Sequence, residues 1–414
     1  MFENVCIVFS DTGGGHRSAV EALSAAIKDA AASDPNHRIV QVTSENIVEH
    51  THTINKHFVQ LYNYLLRHHQ PAMKYYYDLL HFLKPNESEL GYLISRSYLT
   101  QWFSKQAPSV VVSMHPMTNH YIARAMREIG IKDYTKLITV ITDPNADLWR
   151  GWSCPESDLI IAPNEIVFNK LMDWGTSPDK VAVVGMPVHP DFLNEPSVDR
   201  ATFLSHLGLC PDTLTVCVNA GWAGGGNMLA VLKSLRAIDR PIQVIFLCGH
   251  NNALYDDAVD MAADLPFSIA VLPFHDRMSD LMKTADLMVT KAGGLTTFQA
   301  VASRLPLVLD CITEPMPQER GTVDILIDGG LARKLTNPED ILDIVNSASI
   351  VTDRHRALPP VHNLDHDAAV YEIARLVLQN SQIAIEAFQP SSAQRDDSSQ
   401  PVSINRQNLG EATA

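Results

Sequence analysis

Short continuous apolar runs separated by stretches of helical periodicity set the layout of this chain. Residues 4–9 (Asn-Val-Cys-Ile-Val-Phe), 39–42, 110–114, 137–141, 159–162 and 181–184 are such runs. Each has the length and the Val/Ile content of a parallel strand buried on both faces. The segments between them place apolar residues at helical spacing, as at Ala19, Leu23, Ala26 and Ile27. That alternation predicts an α/β, doubly wound parallel sheet. After Pro190 the pattern starts again: a linker, a short helix near 200–207, then strands at 214–218, 242–247, 269–272, 287–289 and 307–309. Two Rossmann-like halves facing each other across a cleft are the simplest architecture. The expected boundaries are 1–195 for the first domain and 196–365 for the second. A C-terminal helix at 366–385 packs back on the first domain, and a disordered tail, poor in apolar residues, fills 386–414.

Composition narrows the class. A chain of 414 residues exceeds one ordinary core, in keeping with two domains. The formal net charge of −15 argues against nucleic acid as a partner, because phosphate backbones require clustered Lys and Arg. The six cysteines are scattered without a C-x-x-C pair, which points to reduced thiols in a cytosol. No signal peptide is expected from the first residues, and no apolar run reaches the ~18 residues of a transmembrane helix. One segment departs from the acidic average. Residues 54–84 carry seven aromatics and four Lys or Arg against one Asp. Lys74, Tyr75, Tyr76 and Tyr77 at its centre suit an interface with lipid headgroups, while the same helical spacing also suits a core-facing stripe.

Candidate chemistry lies where strands end. In parallel sheets, ligands bind beyond the carboxyl ends of strands. His115, Asp143 and the turn 185–190, with Pro187, all fall there. The first strand runs into Ser10-Asp-Thr-Gly-Gly-Gly-His16. Gly14 and Gly15 lack the dinucleotide spacing, and the second strand, ending Gln41-Val-Thr, places no acidic residue for an adenine ribose, a pattern that argues against a dehydrogenase. Asp11 and His16 flank the loop. A histidine with a pKa of about 6.5 can take a proton from a hydroxyl; a capping aspartate and a carbonyl-bonded histidine are the bland alternative. In the second half, a glycine loop with Gly221 and Gly225 follows one strand, and Lys291-Ala-Gly-Gly-Leu-Thr296 follows another. Gly293, Gly294, Leu295 and Thr296 open a helix whose free N–H groups suit a diphosphate. Gln318 and Glu319, read as a polar loop across the cleft, supply acceptors for ribose hydroxyls. Lys291 is placed to meet leaving-group charge, as weaker candidates are His250 and Arg320; a solvated strand-end lysine is the alternative. No metal motif is present: Asp143-Pro-Asn-Ala-Asp147 lacks D-x-D spacing. These features point to a nucleotide-sugar site.

The motifs at 10–16, 184–190, 248–251 and 290–296, with Gln318-Glu319, resemble in order and spacing the monogalactosyldiacylglycerol synthases and processive diacylglycerol glucosyltransferases. More distantly, the Gly-Gly-Leu-Thr turn is similar to that of the peptidoglycan N-acetylglucosaminyltransferase of lipid II synthesis. The resemblance covers about residues 4–350. It implies a GT-B fold and metal-independent transfer with inversion, with no cofactor. It further implies a UDP-sugar donor in the C-terminal domain and a diacylglycerol-type acceptor in the N-terminal domain. His16 then takes the place of the base, with Asp11 to orient it. Phe274 falls where backbone meets uracil, and Gln318 and Glu319 where ribose and sugar are held. Gln299, His250 and Thr322 depart from the usual Glu, Arg or Lys, and Asn. The expected protein is cytoplasmic and peripherally membrane-associated, with the 54–84 segment at the membrane; the hexose and the oligomeric state stay open. A soluble or polyprenyl acceptor, a UDP-sugar 2-epimerase and an inactive UDP-sugar sensor are the alternatives.

Overall fold

The computed structural model describes residues 3–34, 38–69, 72–349 and 369–388. Most of the expected tail therefore lies outside the described residues. The first half is a six-stranded parallel sheet made of β1 (Glu3–Phe9), β2 (Val40–Asn46), β3 (Val110–Ser113), β4 (Lys136–Val140), β5 (Leu159–Ala162) and β6 (Val181–Val183), in the order β2-β1-β3-β4-β5-β6. The second half is a matching sheet of β7 (Leu214–Asn219), β8 (Ile242–Leu247), β9 (Ser268–Leu272), β10 (Leu287–Thr290), β11 (Leu307–Asp310) and β12 (Ala332–Leu335), in the order β12-β11-β10-β7-β8-β9. All ten strand pairs are parallel. The central strands are apolar throughout because helices cover both faces: β1, β3, β7, β8 and β10 are almost wholly buried.

The sheet edges hold the surprises. Strand β2 continues past Thr43 to Asn46, paired with β1 along its full length from Glu3↔Val40 to Phe9↔Asn46. An edge strand is satisfied by backbone pairing on one side, so its polar half, Thr43-Ser-Glu-Asn, can face water. Glu45, gained by this extension, accepts from the Tyr98 hydroxyl at 2.7 Å and pairs with His50, so it is committed there rather than offered to a ribose. Strand β12, Ala-Arg-Lys-Leu, has no apolar run to announce it, and its middle residues are exposed beside β11.

The sheet orders place two switch points. In the first sheet β1 is followed by β2 on one side and β3 on the other; in the second, β7 has β8 on one side and β10 on the other. The crevices above these positions are where ligands enter such sheets. The loop after β1 carries residues 10–14 and leads into His16, and the loops after β7 and β10 carry 220–227 and 291–293. Between β2 and β3 the chain inserts four helices: Ile47–Thr51, Thr53–His68, Met73–Leu83 and Glu89–Gln106. The final helix, Ala369–Phe388, lies against the helix Gly15–Ala32 and β1, β3 and β4. Arg38 donates to its Leu378 carbonyl at 2.9 Å, and Ser381 Oγ lies 2.8 Å from Ser109 Oγ.

Candidate active site

One cavity of about 780 Å³ lies between the two switch points and is lined from both halves. From the first half it receives Asp11, Gly14, Gly15, His16 and Asp143; from the second, Gly221, His250, Phe274, Lys291, Gly293, Gly294, Leu295, Thr296 and Glu319. Residues as far apart in sequence as Asp11 and Glu319 thus share one space.

His16 begins the helix Gly15–Ala32, entered through Gly13 and Gly14 at φ of +75° and +81°. Two successive left-handed residues make the sharp exit from β1 that glycine tolerates best. His16 Nδ1 lies 3.1 Å from Thr142 Oγ1, and the ring is also bonded to the Met114 backbone. Burial pushes its pKa below the ordinary histidine value, opposed by the field of Asp143 and, more weakly, of Asp11. A neutral imidazole held at this depth can accept a proton. His115 does not line the cavity but packs edge-on behind His16, ring centres 4.8 Å apart. Its Nδ1 accepts from the Met117 N–H at 3.4 Å, which leaves the proton on Nε2, 3.3 Å from Thr12 Oγ1. Burial, then His16, holds His115 well below its ordinary pKa.

The expected orientation of His16 by Asp11 is corrected by the hydrogen bonds. Asp11 accepts from Arg17 Nε at 2.9 Å, from Arg17 Nη2 at 2.5 Å and from Asn46 Nδ2 at 2.6 Å. Its carboxylate locks the loop to the helix, and Thr142 and Met114 orient the histidine. Asp143 is in turn fixed by Trp152, whose buried indole donates to Oδ2 at 2.8 Å.

On the opposite wall, Gly293 caps the helix Gly294–Ala302 without any side-chain cap bond. The helix N-terminus faces the cavity, and no cap side chain covers its first N–H groups. The Lys291 stem runs along the glycine loop: a methyl group placed on Gly226 or Gly221 would meet it at 3.3 or 3.5 Å. Gln318 and Glu319 stand not in a loop but in the first turn of a helix, Pro317–Asp328, because Pro317 is well suited to a first helical position. Burial raises the pKa of Glu319 and Lys291 opposes it, so the two are electrostatic neighbours in the cavity. The side chain of Gln318 lies outside the described set. Gly225 does not line the cavity; its N–H closes a turn onto the Ala220 carbonyl at 2.9 Å. Pro187 is buried in its turn and is also off the cavity wall, where His189 takes the place.

One part of the second-half wall is aromatic. His250 stacks on Phe274 with ring centres 4.4 Å apart and planes 12° apart, and meets Trp222 edge-on at 5.1 Å. Burial, then the nearby Arg67 charge, keeps His250 below its ordinary pKa. Trp222 went unremarked in the sequence, although it interrupts the glycine run 221–226. It closes on the other half: a methyl group on Gly14 would lie 2.5 Å from its Cγ. Gln299 and Thr322 also make contacts across the cleft. Gln299 Nε2 donates to Ser18 Oγ at 3.0 Å, and Asn145 Nδ2 donates to Thr322 Oγ1 at 3.0 Å.

The segment read as a lipid interface divides by face. Tyr75 and Lys74 are exposed, but Tyr76 is buried, bonded to the Phe58 carbonyl at 3.3 Å and packed on Tyr62. Tyr77 turns inward onto Tyr62 as well, and burial raises its pKa. Tyr76 and Tyr77 are therefore removed from the exposed patch. The outward face instead presents Ile54, Leu61, Tyr64, Leu79, Phe82 and Leu83. Among the described residues no helix is long and apolar enough to cross a membrane, and no group of three or more His, Cys, Asp or Glu is placed to hold a metal ion.

Comparison with known proteins follows the same division. Residues 16–188 match the family model for monogalactosyldiacylglycerol (MGDG) synthase, and residues 227–315 that for the glycosyltransferase family 28 C-terminal domain. A probable monogalactosyldiacylglycerol synthase, chloroplastic, of Nicotiana tabacum is 27% identical over 83% of this chain, which spans 64% of that protein. The processive diacylglycerol beta-glucosyltransferase of Bacillus licheniformis is 24% identical over 83% of this chain and 86% of its own length. Among solved structures, MurG of Acinetobacter baumannii matches with a TM-score of 0.54 at 13% identity, covering 91% of this chain and 99% of MurG. The UDP-GlcNAc 2-epimerase of Methanocaldococcus jannaschii, in complex with UDP-GlcNAc and UDP, matches with a TM-score of 0.53 at 14% identity, covering 92% of this chain and all of its own. At such identities the structural likeness speaks for the fold. The chain has the GT-B fold, and in sequence it resembles the monogalactosyldiacylglycerol synthases and processive diacylglycerol glucosyltransferases.

Proposed function

We propose that this protein transfers a hexose from a UDP-sugar to the hydroxyl of a diacylglycerol-type lipid, with inversion and without a metal ion. The observation that carries the reading is the meeting, in one cavity, of a half-buried histidine with a lowered pKa from one half and a helix N-terminus without a side-chain cap, beside Lys291, from the other. His16 takes the acceptor proton as the oxygen attacks the anomeric carbon. The glycosidic bond to the diphosphate breaks, and UDP leaves with its negative charge against the helix N–H groups and Lys291. Positioned donors of this kind stabilise a departing oxyanion, each charge-assisted bond being worth about 1.5–3 kcal/mol. Uracil lies by Phe274 and His250, and Glu319 accepts from sugar or ribose hydroxyls. The names of the relatives supply the substrate classes.

Access for a lipid is supported by the inserted helices. The face with Ile54, Leu61, Tyr64, Tyr75, Phe82 and Leu83 is exposed, and Tyr62 and Leu66 of the same insert line the cavity. An apolar face flanked by Lys56 and Lys74 suits adsorption to an anionic lipid surface. The decisive experiment supplies purified protein with radiolabelled UDP-glucose, UDP-galactose or UDP-N-acetylglucosamine and diacylglycerol vesicles, and resolves the lipid extract. A labelled glycolipid from one donor is expected. Conversion of UDP-N-acetylglucosamine to its 2-epimer without lipid labelling would replace the proposal, and UDP binding with no turnover would reduce it to a sensor.

A further inference from the structure

The loop that presents His16 is held largely by side chains from the insert, and one residue grips it on both sides. Asn63, half-buried on the inner face of the helix Thr53–His68, donates from Nδ2 to the Asp11 carbonyl at 2.7 Å. Its Oδ1 accepts from the Gly13 N–H at 3.1 Å. A carboxamide has one donor and one acceptor arm, and here they capture the C=O of one residue and the N–H of the next but one, as a paired strand would. The loop needs this brace. Gly13 and Gly14 both have left-handed φ, and such glycines leave the backbone free to move unless something outside fixes it. Neighbouring contacts complete the frame from the same insert and from the strand before it. Glu49 Oε1 accepts from the Asp11 N–H at 2.7 Å and from Ser10 Oγ at 3.0 Å, and Asn46 bonds the Asp11 carboxylate. The outer face of the Asn63 helix carries Ile54, Leu61 and Tyr64, which are exposed.

We propose that Asn63 is a positioning residue that fixes the angle at which the glycine loop presents His16, so that one helix registers the base on its inner face while offering apolar surface on its outer face. This rests on the transfer reading for its catalytic consequence, but the geometric claim does not. The groups facing His16 are Thr142, Met114, His115, Trp152, Asp143 and Asp11, the last neutralised by Arg17, with Glu49 beneath the loop. Two variants separate positioning from folding. Asn63→Ala removes both arms. Asn63→Asp keeps an acceptor for Gly13 N–H but cannot donate to the Asp11 carbonyl, and adds negative charge near the loop.

Both variants and the wild type are compared by titrating the His16 imidazole by NMR, by UDP binding calorimetry and by transfer kinetics. Asn63→Ala should bind UDP as the wild type does, shift the His16 resonances, and lose about ten- to hundredfold in kcat with little change in donor KM, the scale of a displacement near 1 Å. Asn63→Asp should raise the His16 pKa and move the acidic limb of kcat/KM to higher pH. Unchanged His16 resonances and kcat in Asn63→Ala would overturn the proposal. So would loss of UDP binding in both variants, which would assign Asn63 to general stability. If the wild type transfers no sugar, the functional reading fails, and the NMR comparison still decides the positioning claim.

Discussion

The proposed role of His16 as a base requires a neutral imidazole, and its surroundings favour that form. Desolvation outweighs the carboxylates, and His115, itself neutral and committed to Thr12 and Met117, adds no cation of its own. His16→Gln should retain UDP affinity and lose about 10²–10⁴-fold in kcat, the usual worth of a general base, as measured by steady-state transfer. The same burial has a consequence for stability. A histidine whose folded pKa lies below its unfolded value binds fewer protons when folded, so stability rises with pH across that interval. The contribution of His16 and His115 is present above the ordinary value of 6.5 and is lost as pH falls through their lowered folded values. Thermal melts from pH 7.5 to 5 should show a falling Tm below about 6.5. In His115→Asn, which keeps polar atoms in place of the ring, that slope should be smaller.

At the scale of elements, the inserted helices Thr53–His68 and Met73–Leu83 do two things with two faces. Inward, Leu66 and Met73 are buried, packed with Ala223 and Trp222 of the second half, and Tyr76 is buried against Tyr62. Outward, Tyr75 and Phe82 are 74% and 83% exposed, values at which large apolar side chains need a partner to be useful. Replacing Tyr75 and Phe82 by Ser should weaken cosedimentation with anionic vesicles and leave the melting temperature within about 2 °C. Tyr76→Ser, by contrast, truncates a buried ring and should cost about 3–5 kcal/mol in denaturant unfolding. Equal vesicle binding by the double variant and the wild type would remove this face from the lipid reading.

For the whole molecule, the cleft is narrow because glycines permit close approach between the halves. A side chain on Gly14 meets Trp222, one on Gly294 meets Thr142 O and Pro144 Cδ at 3.3 Å, and one on Gly321 meets Asn145 at 2.5 Å. Polar pairs, Gln299 with Ser18 and Asn145 with Thr322, cross at the same level. Gly14→Ala combines a left-handed φ with the Trp222 collision, and separation of the halves is the expected response. Small-angle scattering should show an increased radius of gyration, and donor KM should rise at least severalfold. An unchanged scattering curve would show that Trp222 swings aside instead. Gln299 and Thr322 therefore carry contacts between the halves, which is why their roles could not be read from the motifs alone.

Much of the fold was legible because periodicity is local. Apolar runs of four to six residues specify buried parallel strands, and their restart after Pro190 specifies a second sheet, since each run must be covered on both faces wherever it lies. The edges β2 and β12 escaped in part, because an edge strand is held by backbone bonds that leave no mark in side-chain polarity. Glycine followed by a helical pattern likewise marked 13–16 and 293–296 as ligand-facing turns, a property of backbone freedom and helix ends. The tertiary structure alone decided which side chain holds which. It gave Asp11 to Arg17 and Asn46, turned Tyr76 and Tyr77 inward, made the 318–319 loop a helix start, and brought Asn63 and Trp222 to the loop around Gly13 and Gly14. The physical reason is range: strands and turns answer to neighbours in sequence, whereas hydrogen bonds and ring contacts answer to neighbours in space, here as far as 281 residues away.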